Sequence, residues 1–256
     1  MTSKFMSCLG RASLLLALGG VTAASAQQLD IGLDSSTPIP LVVVLWKDAH
    51  YGGTKRELVV DTPNLKLQGF NDTASSVGVH PGPDYLTWKQ SHGGHEPTVT
   101  LYSDAGGQGK SIVLRTGIYP DLKAYSMNDA VSSVYFSGDP AAAKPPSGTA
   151  ASFNSIPFVL QLRNGSETLW MIESTQDIGG DYGSNWNDAV KSAVVIKRSS
   201  AGAADTLEFC ADKFFDRCYF PTTLLGKPLA DETSVPLIFP DGFKMTKPTL
   251  TSVRIR

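Results

Sequence analysis

Two hexapeptides carry the side chains best suited to chemistry: Asn71-Asp72-Thr73-Ala74-Ser75-Ser76 and Asn128-Asp129-Ala130-Val131-Ser132-Ser133. Each supplies a carboxylate (Asp72, Asp129), a hydroxyl (Ser75, Ser132) and free loop carbonyls. All of these are hard oxygen donors. Calcium gathers about six to eight such oxygens, backbone and water included. Zinc and copper favour imidazole or thiolate, which both loops lack. A single Asn-Asp or Ser-Ser step is adequately explained as turn chemistry that satisfies backbone donors. Two copies behind matching hairpins call for more. Trp46 to Gly53 reads WKDAHYGG and Tyr102 to Gly109 reads YSDAGGQG. From Trp46 to Asn71 is 25 residues, and from Tyr102 to Asn128 is 26. The two units are therefore in register, apart from a polar insert over 80–97.

Other local signals point to no enzyme. Gly109-Lys110-Ser111 has the end of a phosphate-binding loop, but Asp104 stands where that loop needs its first glycine. His92-Gly93-Gly94-His95-Glu96 places two glycines where a zinc-binding helix would run, and reads as a solvated loop. No serine sits in a G-x-S-x-G elbow. The net charge of −2, with 18% charged and 41% hydrophobic residues, is that of an ordinary globular chain. It offers no electrostatic footprint for nucleic acid or for an acidic membrane surface.

The elements that must position these loops are short strands. Leu41–Trp46, Glu57–Val60, Val99–Tyr102, Ser111–Leu114 and Ser133–Phe136 are rich in Val, Ile, Tyr and Phe and are separated by Gly, Pro, Asn and Asp. No stretch sustains a long helical period, so the fold class is all-β. Residues 139–154, rich in Pro and Ala, read as a linker between a domain at 41–138 and another at 155–256. Residues 1–26 carry Lys4 and Arg11, an apolar run and Ala24-Ser25-Ala26, the layout of a signal peptide. The run is too short to span a bilayer, and no later segment qualifies. The chain is therefore expected to be exported, secreted or periplasmic. Cys8 leaves with the signal. Cys210 and Cys218 are expected to form a disulfide in an oxidising compartment, the alternatives being two reduced thiols or half of a metal site.

The paired segments W-x4-Y-x-G and Y-x4-G-x-G, each followed by NDxxSS, resemble the Greek-key motifs of the microbial βγ-crystallin family. The resemblance implies two interlocked four-strand motifs over 41–138, with two calcium ions shared between them. One ion would take Ser75, the carbonyl of Thr73, Asp129 and the carbonyl of Ala105. The other would take Ser132, the carbonyl of Ala130, Asp72 and the carbonyl of Ala49. Gly107 stands where the family places a second aromatic, which weakens the packing of that corner. Residues 155–256 resemble the family more faintly, as a divergent second Greek-key sandwich. There Asn187-Asp188-Ala189-Val190-Lys191-Ser192 precedes a strand, Phe209 to Phe214 repeats the aromatic corner, and Thr251–Ile255 reads as a last strand. Lys191 replaces the hydroxyl, and Lys247-Pro248 replaces the second Asn-Asp, so calcium binding is expected to be lost or weak there. The function expected is that of a calcium-stabilised exported protein. The alternatives are a secreted protein-binding inhibitor or toxin-like module using the insert with Trp88, or a carbohydrate or surface-attachment protein using the second domain. Extracellular protein or glycan partners belong to those readings.

Overall fold

The computed structural model describes residues 33, 35–190, 192–198, 200–202, 204–219, 232–236 and 250–256. The expected signal peptide, Lys191, Lys247 and Pro248 lie outside the described residues.

Strands β1 (Leu41–Asp48), β2 (Gly52–Leu58), β3 (Ser76–Pro81) and β6 (Gly117–Tyr119) form one antiparallel sheet, in the order β2-β1-β3-β6. Strands β4 (Val99–Asp104), β5 (Gln108–Leu114) and β7 (Ser133–Tyr135) form a second sheet, in the order β5-β4-β7. The two motifs exchange their third strands. β6 follows the second hairpin yet pairs with β3 of the first, Val77 opposite Tyr119 and Val79 opposite Gly117. In return Thr62, from the first motif, bridges Val134 of β7. This is the Greek-key connection, and it makes neither motif complete without the other.

The second half repeats the pattern. Strands β8 (Phe158–Asn164), β9 (Glu167–Met171), β10 (Ser192–Lys197) and β13 (Glu232–Pro236) are ordered β13-β10-β8-β9. Strands β11 (Leu207–Asp212), β12 (Asp216–Tyr219) and β14 (Ser252–Ile255) are ordered β12-β11-β14. Thr175 bridges Val253 as Thr62 bridges Val134. The structure is thus all-β, with two Greek-key sandwiches, as the strand-rich sequence implies. Helix α1 (Tyr85–Ser91) lies in the polar insert, and α2 (Ile178–Tyr182) lies between β9 and β10.

Leu41-Val42-Val43-Val44-Leu45 is buried throughout, not at alternate positions. A strand of this kind is covered on both faces. The core that includes it reaches into the second half, to Ile156, Val159, Trp170, Ile172 and Ile196. Residues 139–154, read from composition as a linker, run along the first sandwich. Lys144 bridges Leu114 of β5, Gly148 bridges Ile118 of β6, and Phe153 donates its backbone N–H to Pro81 at 2.9 Å. These contacts cover one edge strand of each sheet, β5 and β6, which would otherwise present unpaired backbone groups. The fit is close: a Cβ on Gly117, which has φ 146°, would lie 2.2 Å from Cβ of Pro146.

Candidate metal centre

The geometry starts from backbone. Asp72 has φ 53° and Asp129 φ 50°, both in the left-handed region. Asp and Asn tolerate that region because their short side chains can bond locally. Asn71 Nδ2 donates to Asp72 Oδ2 at 2.5 Å, and Asn128 Nδ2 donates to Asp129 Oδ2 at 2.6 Å. The two loops bond to each other, with Asp72 N–H reaching the carbonyl of Val131 at 3.1 Å and Asp129 N–H that of Ala74 at 3.0 Å. The turn thus aims each carboxylate across the motif boundary. Ser132 Oγ donates to Asp72 Oδ1 at 2.8 Å, and Ser75 Oγ donates to Asp129 Oδ1 at 3.0 Å.

The second serine of each pair does a different job. Ser76 Oγ donates to the Asp48 carbonyl at 2.7 Å and accepts from Tyr51 N–H at 3.0 Å. Ser133 Oγ donates to the Asp104 carbonyl at 2.7 Å and accepts from Gly107 N–H at 3.1 Å. Each therefore pins its own hairpin corner, the loops that carry Ala49 and Ala105. The corners are also tied to the opposite motif, through His50 N–H to Pro120 and Gly106 N–H to Pro63, both at 2.8 Å. Thr73 and Ala130 follow the two aspartates directly.

Ser75 and Ser132 are buried, while Asp72 and Asp129 reach solvent. Each pair has a rigid buried base and an open mouth. Among the described residues, neither carboxylate forms an ion pair. Each pair brings together one hydroxyl and one carboxylate, hard oxygen donors of the kind a divalent cation takes.

The corner expected to suffer from Gly107 is repaired from another strand. In the first corner Trp46 packs edge-on against Tyr51, with ring centroids 5.2 Å apart. In the second, Tyr102 packs edge-on against Tyr135 of β7 at 5.7 Å. A Cβ on Gly107 would lie 3.1 Å from that Tyr135 ring. Tyr135 therefore occupies the aromatic position, a substitution that no local motif reveals.

Among the described residues, the second half keeps one crosswise pair. Asp188 has φ 54°, Asn187 Nδ2 donates to Asp188 Oδ2 at 2.8 Å, and Thr251 Oγ1 donates to Asp188 Oδ1 at 2.9 Å. Thr251 thus stands where Ser132 stands in the first half, which the sequence reading did not recognise. The β8–β9 hairpin turns tightly, with Asn164 opposite Glu167 and Gly165 at φ 63°, and has no corner loop like that of Ala49. The other corner is one residue out of step with the expected Phe209–Phe214 corner. Cys210 faces Ser252 as Tyr102 faces Ser133, so Cys210, not Phe209, holds the corner position. Phe209 is instead buried in the second core. Cys210 and Cys218 are directly opposite and joined by a disulfide. The Glu208, Cys210 and Cys218 side chains are close enough to share an ion, but the disulfide takes both sulfurs.

No family model matches the chain. A βγ-crystallin of Ciona intestinalis is 32% identical over 87 residues, which are 34% of this chain and 86% of that protein. The chain belongs to the βγ-crystallin family. The solved βγ-crystallin of Ciona intestinalis is 30% identical and covers 37% of this chain and 98% of its own, with a TM-score of 0.30. An archaeal βγ-crystallin is 20% identical over 38% of this chain and 96% of its own, with a TM-score of 0.29. Protein S, solved in complex with calcium, is 16% identical over 84% of this chain and 99% of its own, with a TM-score of 0.28. Among the described residues of this βγ-crystallin, no helix is long and apolar enough to cross a membrane.

Proposed function

We propose that this is an exported, non-catalytic βγ-crystallin whose first half binds two calcium ions and is stabilised by them. The crosswise pairs Asp72–Ser132 and Asp129–Ser75 carry this reading. Each brings a carboxylate and a hydroxyl from different motifs to one solvent-facing mouth. Calcium there would neutralise the carboxylate and draw in the carbonyls, of Thr73 and Ala105 on one side and of Ala130 and Ala49 on the other. One carboxylate per site is a low ligand charge, which points to an affinity of roughly micromolar to submillimolar. Because each site needs both motifs folded, the unfolded chain has none. Linkage then stabilises the fold by about 2.7 kcal/mol per site at a hundredfold excess over Kd. Export is supported by the layout of residues 1–26 and fits the Cys210–Cys218 disulfide.

Calorimetric titration of the full chain with calcium should show two sites, with magnesium much weaker because it demands tighter geometry. The same melting temperature in chelator and in millimolar calcium would refute the reading. N-terminal sequencing of the exported protein should begin at Gln27.

A further inference from the structure

The end of the first sandwich opposite the Asp72 and Asp129 loops holds a groove. Trp46 pairs with Ser76 at the ion end of β3, whereas Leu41 pairs with Pro81 at the far end. At that far end Pro38, Pro40, Val60, Asp61, Trp88 and Phe136 line a groove of about 390 Å³. This is within the usual size of small-molecule sites, roughly 300–1,000 Å³. The Trp88 indole is fixed in place. It stacks on His92 at 3.8 Å with the planes 7° apart, and His92 Nδ1 bonds the Trp88 carbonyl at 2.8 Å. The insert bearing it is itself anchored, because Asp84 Oδ2 accepts from Ile39 N–H at 2.8 Å and lies 3.5 Å from Arg198. Asp61 is oriented too: its Oδ1 accepts from Phe136 N–H at 2.7 Å, which holds the carboxylate in the groove's lining beside Thr37, among mostly apolar walls.

We propose that this groove binds a small saccharide. A pyranose has an apolar C–H face, which suits the indole and the flat proline and valine walls. It also has hydroxyl donors, which suit the remaining carboxylate oxygen of Asp61. A wholly apolar ligand would strip water from that carboxylate without replacing its hydrogen bonds. A cationic peptide would be better served by a cage of facing rings than by walls of Pro38, Pro40 and Val60. Both partners, Trp88 and Asp61, are pre-oriented, so little ordering cost opposes binding.

The test uses the full chain and lactose, maltotriose, cellotriose and chitotriose, followed by calorimetry and saturation-transfer NMR. At least one should bind saturably, with Kd near or below about 1 mM. Trp88→Ala should weaken that binding by about tenfold or more, as loss of an aromatic anchor does. Trp88→Phe should retain most of it, which guards against a misfolded alanine variant. Asp61→Asn keeps an acceptor for Phe136 N–H but removes the charge, and should cost about fivefold. Affinity should be the same with calcium and with chelator wherever the chain is folded in both, so this site and the ion sites fail or stand separately. The proposal is overturned by no saturable binding of any of the four sugars, by binding that survives Trp88→Ala, or by capture of a lysine-rich peptide in place of sugar.

Discussion

An aspartate at positive φ carries a backbone cost of about 1 kcal/mol, and three recur here at equivalent positions: Asp72, Asp129 and Asp188. The turn earns its place by what it does with the carboxylate. Asp72→Gly would relax the backbone and delete the ligand, while Asp72→Asn would keep the turn and the bond from Ser132 Oγ. In both, calorimetry should show one calcium ion lost; in chelator Asp72→Asn should match the parent protein, while Asp72→Gly also strands the buried Ser132 hydroxyl and should gain nothing. The adjacent serines separate function from structure. Side chains alternate along a strand, so Ser75 faces Asp129 while Ser76 faces its own corner. Ser75→Ala should weaken calcium binding and change the chelator melt little. Ser76→Ala strands the Asp48 carbonyl and the Tyr51 N–H, and should cost about 1–3 kcal/mol with or without calcium. The repeat marked both serine pairs, and the family resemblance named Ser75 and Ser132 as the ligands within them. The repeat could not separate the roles of Ser76 and Ser133, since both serines of each pair repeat equally.

At the scale of elements, the hairpins and the following loops were legible because each motif is local. What lay across strands was not. Tyr135 fills the space over Gly107 from another strand, and nothing in YSDAGGQG announces it. The second-half corner was misaligned by one residue because the aromatic spacing fits Phe209, whereas the residue that holds the corner, Cys210, is not aromatic. Pairing with β14 decides between them, and it places Cys210 at the corner with Phe209 turned inward. A one-residue slip flips every side chain to the other face, so such errors matter. The Cys210–Cys218 disulfide then staples β11 to β12 where the first half relies on an aromatic pair. Replacing both cysteines with serine should lower stability by about 2–3 kcal/mol, the scale expected for a short closed loop. Denaturant unfolding measures that loss, and calcium stoichiometry should stay unchanged because the ion loops belong to the other sandwich.

At the scale of the whole molecule, composition suggested two modules joined by a spacer, and the contacts between the halves connect residues far apart in sequence. Arg56 and Glu57 of β2 are almost wholly buried. Arg56 donates to the carbonyls of Gln68 at 2.8 Å and Tyr182 at 2.7 Å. Glu57 accepts from Tyr182 Oη at 2.7 Å and from Ile172 N–H at 2.9 Å, and pairs with Lys55 at 2.7 Å. A buried carboxylate so placed holds the halves in one orientation, because any slip would strip it of the Tyr182 and Ile172 donors. The halves should therefore melt in one calorimetric transition, and calcium bound in the first should raise the melting of the second. Tyr182→Phe removes one donor to a buried charge and should cost about 1.5–3 kcal/mol. Burial pushes the Tyr182 phenol well above its ordinary value, with the Glu57 carboxylate adding to the effect, and burial pushes Tyr119 up to about 12. A folded-state value above the unfolded one gives stability that is complete below about pH 10 and lost as pH climbs beyond it. In the parent protein, ultraviolet titration should find these two tyrosines ionising only as the chain unfolds. Tyr182→Phe should lose part of that alkaline dependence and keep the part owed to Tyr119. Two separate transitions, with the second half indifferent to calcium, would show that the buried network does not couple the sandwiches.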